Sequence, residues 1–163
     1  MDPAAVYRTE SEALFRYLVR MAGDSDLAAD VLQETFLRLV ERPPSTSENL
    51  TGWLFRVATN QLRDHARRVR RETVLVTAGA GSEVLGDPPP DPDQMVTLGE
   101  RTSAVRRALD TLSFRDRTIL LMREEGFPHR EIAEVVGTTT GSVGTLIARA
   151  LDRVKKELEE HHG

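Results

Sequence analysis

Arginine and asparagine side chains recur at helical spacing in residues 53–71, WLFRVATNQLRDHARRVRR. Steps of four, three, four and four residues keep them on one face of a helix. We call this set the arginine ladder; its members are Arg56, Asn60, Arg63, Arg67 and Arg71. Because Arg pairs bidentately with phosphate and Asn can pair with base edges, the ladder predicts a face that binds nucleic acid.

The opposite face of the same helix is apolar. Its residues recur at three- and four-residue steps, which is typical of the stripe that a helix buries. They are Leu54, Val57, Ala58, Leu62, Ala66 and Val69. Trp53, at the start of this helix, allows two interpretations: a stacking surface or wedge for bases, or an ordinary core residue.

A basic helix can also be an amphipathic helix whose charged side is simply solvated. The charge here is one-sided, since only Asp64 and Glu72 oppose the arginines of residues 56–72. This imbalance favours a nucleic-acid face over solvation alone.

The net charge of the 163-residue chain is -4, which is unusual for a DNA-binding module, because phosphate contacts supply non-specific affinity. Acidic residues outnumber basic ones before Leu50, and residues 73–95 carry acidic side chains but no Lys or Arg. The basic block lies between these two segments. We infer a chain that binds DNA weakly alone and needs a larger partner to place it.

Several classes of protein are excluded by composition. The chain has no cysteine, which excludes a disulfide framework, a thiol switch and Cys-ligated zinc. It has no run of about 18 apolar residues and no signal-peptide design, so we expect no membrane insertion and a cytoplasmic protein. The four His residues show no metal-ligand spacing, and no nucleophile or phosphate-loop motif is present. We therefore expect no metal, no cofactor and no enzyme activity.

The predicted fold class is all-α, because helix formers dominate and aromatic residues are few. Two small helical domains are expected at 1–72 and 94–160, joined at 73–93 by a flexible linker rich in Gly, Pro and Asp. The predicted helices, besides the ladder helix, cover 4–21, 27–41, 96–112, 114–125, 129–136 and a long final helix after Thr140. Inward positions of the second domain include Leu98, Val105 and Leu151.

Residues 131–151, EIAEVVGTTTGSVGTLIARAL, have the spacing of a helix-turn-helix. Ala133 is small where two helices cross, Gly137 can take the left-handed conformation of the turn, and Val143 packs back under the first helix. The next helix would then begin at the surface, where a recognition helix enters the major groove. A plain helical hairpin is the alternative, and these offsets together with Ile132 favour the helix-turn-helix.

Three motifs, in this order, resemble those of a known family: DVLQETFLRLVE at 30–41, WLFRVATNQLRDHARR at 53–68 and ALDTLSFRDRTILLMREEGFPHREIAEVVGTTTGSVGTLIARAL at 108–151. The chain resembles bacterial RNA polymerase sigma factors. Its two-domain layout is similar to that of the extracytoplasmic-function group. The resemblance covers nearly the whole chain outside the linker and the termini.

The resemblance implies an alternative sigma factor that binds RNA polymerase core, recognises promoter DNA and promotes strand opening. The first domain would dock on the clamp helices of the largest polymerase subunit through Asp30, Gln33, Glu34 and Arg38. It would also hold the melted minus-ten element, with a flipped base captured near the loop at 42–49. The residues implied for the melted element are Asn49, Trp53, Arg56, Asn60, Arg63, Arg67 and Arg71.

The second domain would contact the minus-thirty-five element and the flap of the other large subunit. The residues implied for DNA are Arg130, Thr139, Thr140, Ser142, Thr145 and Arg149. Family members often carry Lys or Arg just after the position of Val143, whereas Gly144 follows it here. We therefore expect the contacts with the minus-thirty-five element to be weak, or to be made by backbone amides at the start of the recognition helix. A third possibility is that Arg115, Arg117 and Arg130 bind its phosphates.

Two other functions fit the same residues. A stand-alone helix-turn-helix regulator would bind duplex DNA without polymerase, although this leaves the arginine ladder unexplained. A sigma-like adaptor would bind polymerase without reading promoters, and Gly144 with Thr145 is the best support for it. The family resemblance also implies an anti-sigma factor as a partner.

Overall fold

The computed structural model describes residues 1–46, 48–80 and 97–162, with side chains described in 1–46, 48–73 and 103–160. Within these ranges the chain is helical and has no strand. The helices are α1 (Pro3–Ala22), α2 (Ser25–Glu41), α3 (Leu50–Ala80), α4 (Thr97–Asp110), α5 (Phe114–Glu124), α6 (His129–Val136) and α7 (Thr140–His162). Among these described helices, none combines the length and apolar character needed to cross a bilayer.

Short polar residues set the ends of the first two helices. Asp2 Oδ1 accepts a hydrogen bond from the amide of Ala4 at 3.1 Å, and Asp24 Oδ1 accepts one from the amide of Asp26 at 2.9 Å. Both carboxylates satisfy amides that the first turn of a helix leaves without partners. Helix α1 ends at Gly23, whose φ of 70° lies in the left-handed region that favours glycine.

Helices α1, α2 and α3 pack into a first unit around buried apolar side chains, which include Leu14, Leu18, Leu32, Leu39, Leu54 and Ala58. Tyr17 is buried in the same core, and its hydroxyl shares a hydrogen bond of 2.7 Å with Thr59 Oγ1. Burial raises the pKa of Tyr17, because the phenolate would lose its hydration. The neutral phenol therefore ties α1 to α3.

Helices α4 to α7 form a second unit that contains the predicted helix-turn-helix. Ser113 Oγ accepts a hydrogen bond from the amide three residues further on at 3.1 Å and so caps α5. Gly137 ends α6 with a φ of 74°, which confirms its predicted left-handed conformation. Ile132, Ala133 and Val143 are buried, as the spacing predicts.

The two units pack directly against each other. Helix α1 contacts α5, α3 contacts α6, and one apolar core runs through both units. Phe55 of α3 and Phe127, in the turn between α5 and α6, lie edge to face with ring centroids 4.7 Å apart. Both rings are buried. No pattern in the sequence predicts this contact, because Phe55 lies outside the apolar stripe predicted for α3 and Phe127 lies in a turn, which has no helical periodicity.

Helix α3 is longer than the sequence indicates, since it continues through Ala80 and so overlaps the first part of the linker expected at 73–93. Residues 73–80 contain no proline, so the backbone hydrogen bonds of the helix can continue through them. Thr73 Oγ1 also donates to the carbonyl oxygen of Val69, one turn earlier, at 2.8 Å. Residues 81–93 of the expected linker lie outside the described residues.

Three positions expected in the core are exposed instead: Val69 at 46%, Val105 at 44% and Leu151 at 49%. On α3 the buried positions end at Leu62, so Val69 lies on a part of the helix that has no core to pack against. Helical spacing identifies a face, but it does not show how far along the helix a partner extends. Leu98, also expected inward, lies outside the described side chains.

Candidate nucleic-acid interface

The carboxyl-terminal half of the arginine ladder is open to solvent. Arg67 and Arg71 are exposed, and with Arg68, Arg70 and Asp64 they line a cleft on the surface of α3. Exposed guanidinium groups keep their hydration until a ligand arrives, and they can then pair with phosphate oxygens at little cost. This part of α3 is suited to a polyanion.

The two arginines in the first half of the ladder, Arg56 and Arg63, are engaged within the protein. Arg56 pairs with Glu48 at 3.6 Å, while Asn60 is exposed. Arg63 is half-buried: its Nη2 donates to the carbonyl oxygen of Val135 at 3.3 Å, and its guanidinium lies 5.9 Å from the centroid of the Phe114 ring. The arginine ladder therefore has one part that contacts the protein itself, at Arg56 and Arg63, and one part that is exposed, at Arg67 and Arg71.

Two residues sit where α3 begins. Asn49 precedes the helix, and its Nδ2 donates to Glu131 Oε1 of α6, 82 residues further along the chain. Trp53 is half-buried and packs against the core. Part of the Trp53 side chain therefore contributes to the core and part remains accessible, and its role as a stacking surface for bases stays a prediction.

The helix-turn-helix presents small polar side chains at the start of α7. Thr140 and Thr145 are exposed, as are Arg130 on α6 and Arg149 further along α7. Thr139 Oγ1 and Ser142 Oγ share a hydrogen bond of 2.6 Å. A Cβ added at Gly141 would meet nothing within 4 Å. Because no side chain projects from this position, a ligand can approach the backbone closely at the start of α7.

A second exposed face lies on α2 of the first unit. It contains Asp30, Gln33, Glu34 and Arg38, all four of which are exposed. Glu34 and Arg38 form an ion pair of 3.6 Å along the helix, which is weak because both side chains are about half exposed.

Two apolar residues of the same helix add to this face, and the sequence reasoning missed them. Leu37 is 54% exposed and Val40 is 60% exposed. Large apolar side chains exposed next to one another form a candidate surface for protein binding. The signal was present, because both residues lie outside the inward stripe of α2, which includes Phe36 and Leu39.

Several charged residues that the sequence reasoning did not single out join the two units. Arg16 of α1 forms a two-pronged pair with Glu125, with 3.1 Å from Nε to Oε1 and 2.8 Å from Nη2 to Oε2. This hydrogen bond, together with the Coulombic attraction of Glu125, raises the pKa of Arg16. No local pattern could reveal the pair, because its members are 109 positions apart.

Arg117 has a different role from the one expected. Its Nη1 donates to the carbonyl oxygen of Met21 at 2.8 Å and its Nε donates to that of Leu109 at 3.1 Å. The side chain therefore binds helix ends instead of pointing outward to DNA phosphates. Arg115 remains exposed beside Asp116, with 3.4 Å between Arg115 Nε and Asp116 Oδ1.

The arrangement of acidic and histidine side chains does not point to a metal centre. Within the residues that the structure describes, no three His, Asp or Glu side chains come together in a way that could hold a metal ion.

Comparison with known proteins agrees with this geometry. The family model for sigma-70 region 2 matches residues 6–72, and the model for sigma-70 region 4 matches residues 102–154. The extracytoplasmic-function (ECF) RNA polymerase sigma factor SigL of Mycobacterium tuberculosis is 28% identical over 160 residues, covering 96% of this chain and 88% of SigL. SigW of Bacillus subtilis, also an ECF sigma factor, is 26% identical over 159 residues, covering 91% of this chain and 84% of SigW.

A solved structure shows the same fold. The sigma factor RpoE of Bartonella quintana, crystallised with the anti-sigma factor NepR, superposes with a TM-score of 0.74 and 22% identity over 96% of each chain.

The two matched regions define a sigma-70-type protein with one region-2 unit and one region-4 unit. The chain belongs to the extracytoplasmic-function RNA polymerase sigma factors, and as an alternative sigma factor it binds RNA polymerase and recognises promoters.

Proposed function

We propose that the two units divide the steps of promoter recognition. Residues 1–72 dock on polymerase core and hold the melted minus-ten element, and residues 94–160 contact the minus-thirty-five element. One observation carries the proposal: the exposed Arg67 and Arg71 lie on the same compact unit as the exposed face of α2. A partner bound to α2 would therefore position the arginine ladder on DNA.

Helix α2 supplies the docking surface. Its exposed face combines charged and amide side chains with Leu37 and Val40. An interface with an apolar centre and a polar rim is typical of protein–protein contacts. The clamp helices of the largest polymerase subunit form a coiled coil, and the α2 face is suited to packing along it, with Asp30, Gln33 and Glu34 at the rim.

Helix α3 stabilises the open strand. Unstacking a base costs a few kcal/mol, which the protein offsets by pairing arginines with the phosphates of the displaced strand and by stacking bases on aromatic faces. Arg67 and Arg71 are free for the first task, and the accessible part of Trp53 is available for the second. Polymerase carries out RNA synthesis, so the sigma factor works in the cytoplasm beside it.

The second unit binds the minus-thirty-five element mainly through the shape and the phosphate backbone of the DNA, and less through contacts with base edges. Gly144 and Thr145 stand where a longer side chain would reach base edges, so Arg130 and Arg149 are left to contact phosphates. Phosphate contacts position a protein on the duplex but carry no sequence information. Most sequence discrimination therefore comes from the first unit.

An anti-sigma factor is a further partner of this chain. The fold matches that of RpoE in its complex with NepR, and the exposed α2 face is the surface that such an inhibitor must cover to keep polymerase away.

Multi-round transcription with purified core polymerase on fragments of the source genome tests the proposal. The informative variant is Arg67→Ala/Arg71→Ala, because both side chains are exposed and surface substitutions of this kind are expected to leave the fold intact. The matched control is Arg8→Ala/Arg20→Ala, which removes the same charge from exposed positions on α1.

Discrete transcripts that require the chain, and that fall at least tenfold in the ladder variant but not in the control, would support the proposal. Tight core binding without transcripts would favour the sigma-like adaptor. Specific binding to duplex DNA without any binding to polymerase core would favour the stand-alone helix-turn-helix regulator.

A further inference from the structure

The imidazole ring of His129 lies beside a position of α7 that has no side chain. A Cβ added at Gly144 would lie 3.8 Å from His129 Cε1, which is an ordinary van der Waals distance. Gly144 is exposed and is the fifth residue of α7, the second helix of the helix-turn-helix. A ring from α6 therefore borders the place on α7 that a side chain of residue 144 would occupy.

Buried neighbours on both sides hold the backbone of His129. It is the first residue of α6. Phe127, two residues earlier, is buried, and Ile132, three residues later, is completely buried. Because both neighbours are anchored in the core, the position from which the imidazole projects is fixed. The His129 side chain itself is half-buried.

The ring nitrogens of His129 are available to a ligand. Among the described side chains none donates to the His129 ring, accepts from it or forms an ion pair with it. Every buried side-chain nitrogen or oxygen in the described part of the chain has a partner, so nitrogens without one must reach solvent. Imidazole carries at least one N–H, whether it is neutral or protonated. His129 therefore presents a hydrogen-bond donor next to the start of α7.

Two glycines allow α7 to enter a groove deeply. Gly141 and Gly144 are exposed and three residues apart, which places them on the same face of the helix. The major groove is about 12 Å wide, and a helix with its side chains measures about 10–12 Å across. A helix face without side chains can therefore lie closer to the base edges. At that depth a side chain as short as His129 can reach them.

Guanine is the base edge that suits a donor at this place. In the major groove guanine presents two neighbouring acceptors, N7 and O6, whereas adenine places an amino group beside its N7 and thymine places a methyl group beside its O4. Phosphate is a less suitable target for His129, because the adjacent Arg130 is exposed, longer and always cationic.

We propose that His129 reads a guanine of the minus-thirty-five element in the major groove, in the place that a side chain at position 144 would otherwise fill. This inference rests on the proposed function, because it concerns the DNA contacts of the second unit. It adds one base contact to a unit whose other contacts position it on phosphates. A residue outside the recognition helix thus determines part of the sequence specificity.

The test measures the affinity of holoenzyme, assembled from core polymerase and the full chain, for a promoter mapped by the transcription experiment. Each base pair of the minus-thirty-five element is replaced in turn at one fixed salt concentration. In a second series each guanine of the element is replaced singly by 7-deazaguanine, which lacks the N7 acceptor but still pairs with cytosine.

The variants are His129→Ala and, as the matched control, Arg130→Ala at the next position of α6. Arg130 is exposed and is the proposed phosphate ligand. Circular dichroism and a cooperative melt establish that both variants fold. The two substitutions separate a base contact from a phosphate contact, because only a base contact carries sequence information.

For the natural chain we expect one guanine at which both the base-pair change and 7-deazaguanine weaken binding about tenfold. His129→Ala should bind the natural element about tenfold more weakly and show no further loss at that guanine. Arg130→Ala should weaken binding by a similar factor on every sequence and keep the discrimination. His129→Gln should move the preference at this one position towards adenine, with which Gln pairs.

Unchanged discrimination in His129→Ala would overturn the proposal. A loss that is equal on every sequence, as in Arg130→Ala, would assign His129 to a phosphate and would overturn its role in reading a base. The absence of any guanine preference in the natural chain would also overturn it. Failure of the natural chain to bind core or to start transcription would instead defeat the proposed function, and this inference with it.

Discussion

Arg63 of α3 donates a hydrogen bond to the carbonyl oxygen of Val135 at the end of α6, 72 positions further along the chain, at 3.3 Å. The next member of the arginine ladder, Arg67, is exposed. One helix face therefore has an inner part that binds its own protein and an outer part that is free for a ligand.

The free part of the ladder should govern the salt dependence of single-strand binding. Each phosphate contact on a single strand contributes about 0.7 to the slope of log affinity against log salt. Arg67→Ala/Arg71→Ala should therefore reduce the slope by about 1.4 in anisotropy titrations. Arg8→Ala/Arg20→Ala should leave the slope unchanged, and an equal reduction in both variants would mean that net charge alone matters.

A side chain at position 137 should reduce the stability of the fold. Gly137 has a φ of 74°, and an L-residue in the left-handed region costs roughly 1–2 kcal/mol. Gly137→Ala should lower the free energy of unfolding by about that amount in urea denaturation.

Gly144→Ala on α7 should have the opposite effect. The added Cβ would meet only His129 Cε1, at an ordinary 3.8 Å, and Ala favours a helix over Gly by about 1 kcal/mol. We expect a gain of about 0.5–1 kcal/mol in the same denaturation experiment. A loss would show that the start of α7 is not helical as described.

Alkaline pH should weaken the fold through Tyr17. Burial raises the pKa of Tyr17 above its ordinary value of 10.0, so above about pH 10 the unfolded chain releases a proton that the folded chain keeps. Stability is then lost as pH rises, by up to about 1.4 kcal/mol per pH unit for one group. Below pH 10 this contribution is fully present.

Tyr17→Phe should remove that pH dependence. The lost hydrogen bond should cost about 1 kcal/mol at neutral pH, and Thr59 Oγ1 keeps a partner in the carbonyl oxygen of Phe55 at 2.6 Å. Unfolding measured between about pH 8 and pH 11 should show a shallower decline in the variant. Parallel declines in both proteins would assign the alkaline sensitivity to another group.

The exposed face of α2 should control affinity for polymerase core. Asp30→Lys reverses a charge at an exposed position and should weaken core binding at least tenfold, which is about 1.4 kcal/mol. Glu12→Lys makes the same change at an exposed position on α1 and serves as the control. Equal loss in both, measured by surface plasmon resonance, would exclude a local docking site at Asp30.

Local patterns in the sequence predicted the all-α fold, the helix-turn-helix and the position of the arginine ladder. Helical periodicity and the turn requirement at Gly137 act within a few residues, so they can be recognised in a single sequence. The α2 docking face and the ladder's role on DNA stay predictions, because they depend on partners outside the chain.

Long-range packing could not be predicted in the same way. Arg117 has the chemistry of a phosphate ligand, yet it binds the carbonyl oxygen of Met21, 96 positions away. Arg63 and Arg67 have the same side chain and the same helical face, but only Arg63 meets α6. Which arginine is covered depends on how two separately predicted units dock, and periodicity contains no information about that docking.

Helix α3 is predicted to hold the melted strand once polymerase has positioned it. Permanganate reactivity of thymines, on a promoter mapped by the transcription experiment, measures strand opening directly. We predict unpaired thymines near the minus-ten element only with core and chain together, and a large loss of reactivity with Arg67→Ala/Arg71→Ala but not with Arg8→Ala/Arg20→Ala. Full reactivity with the ladder variant bound to core would contradict this role of α3.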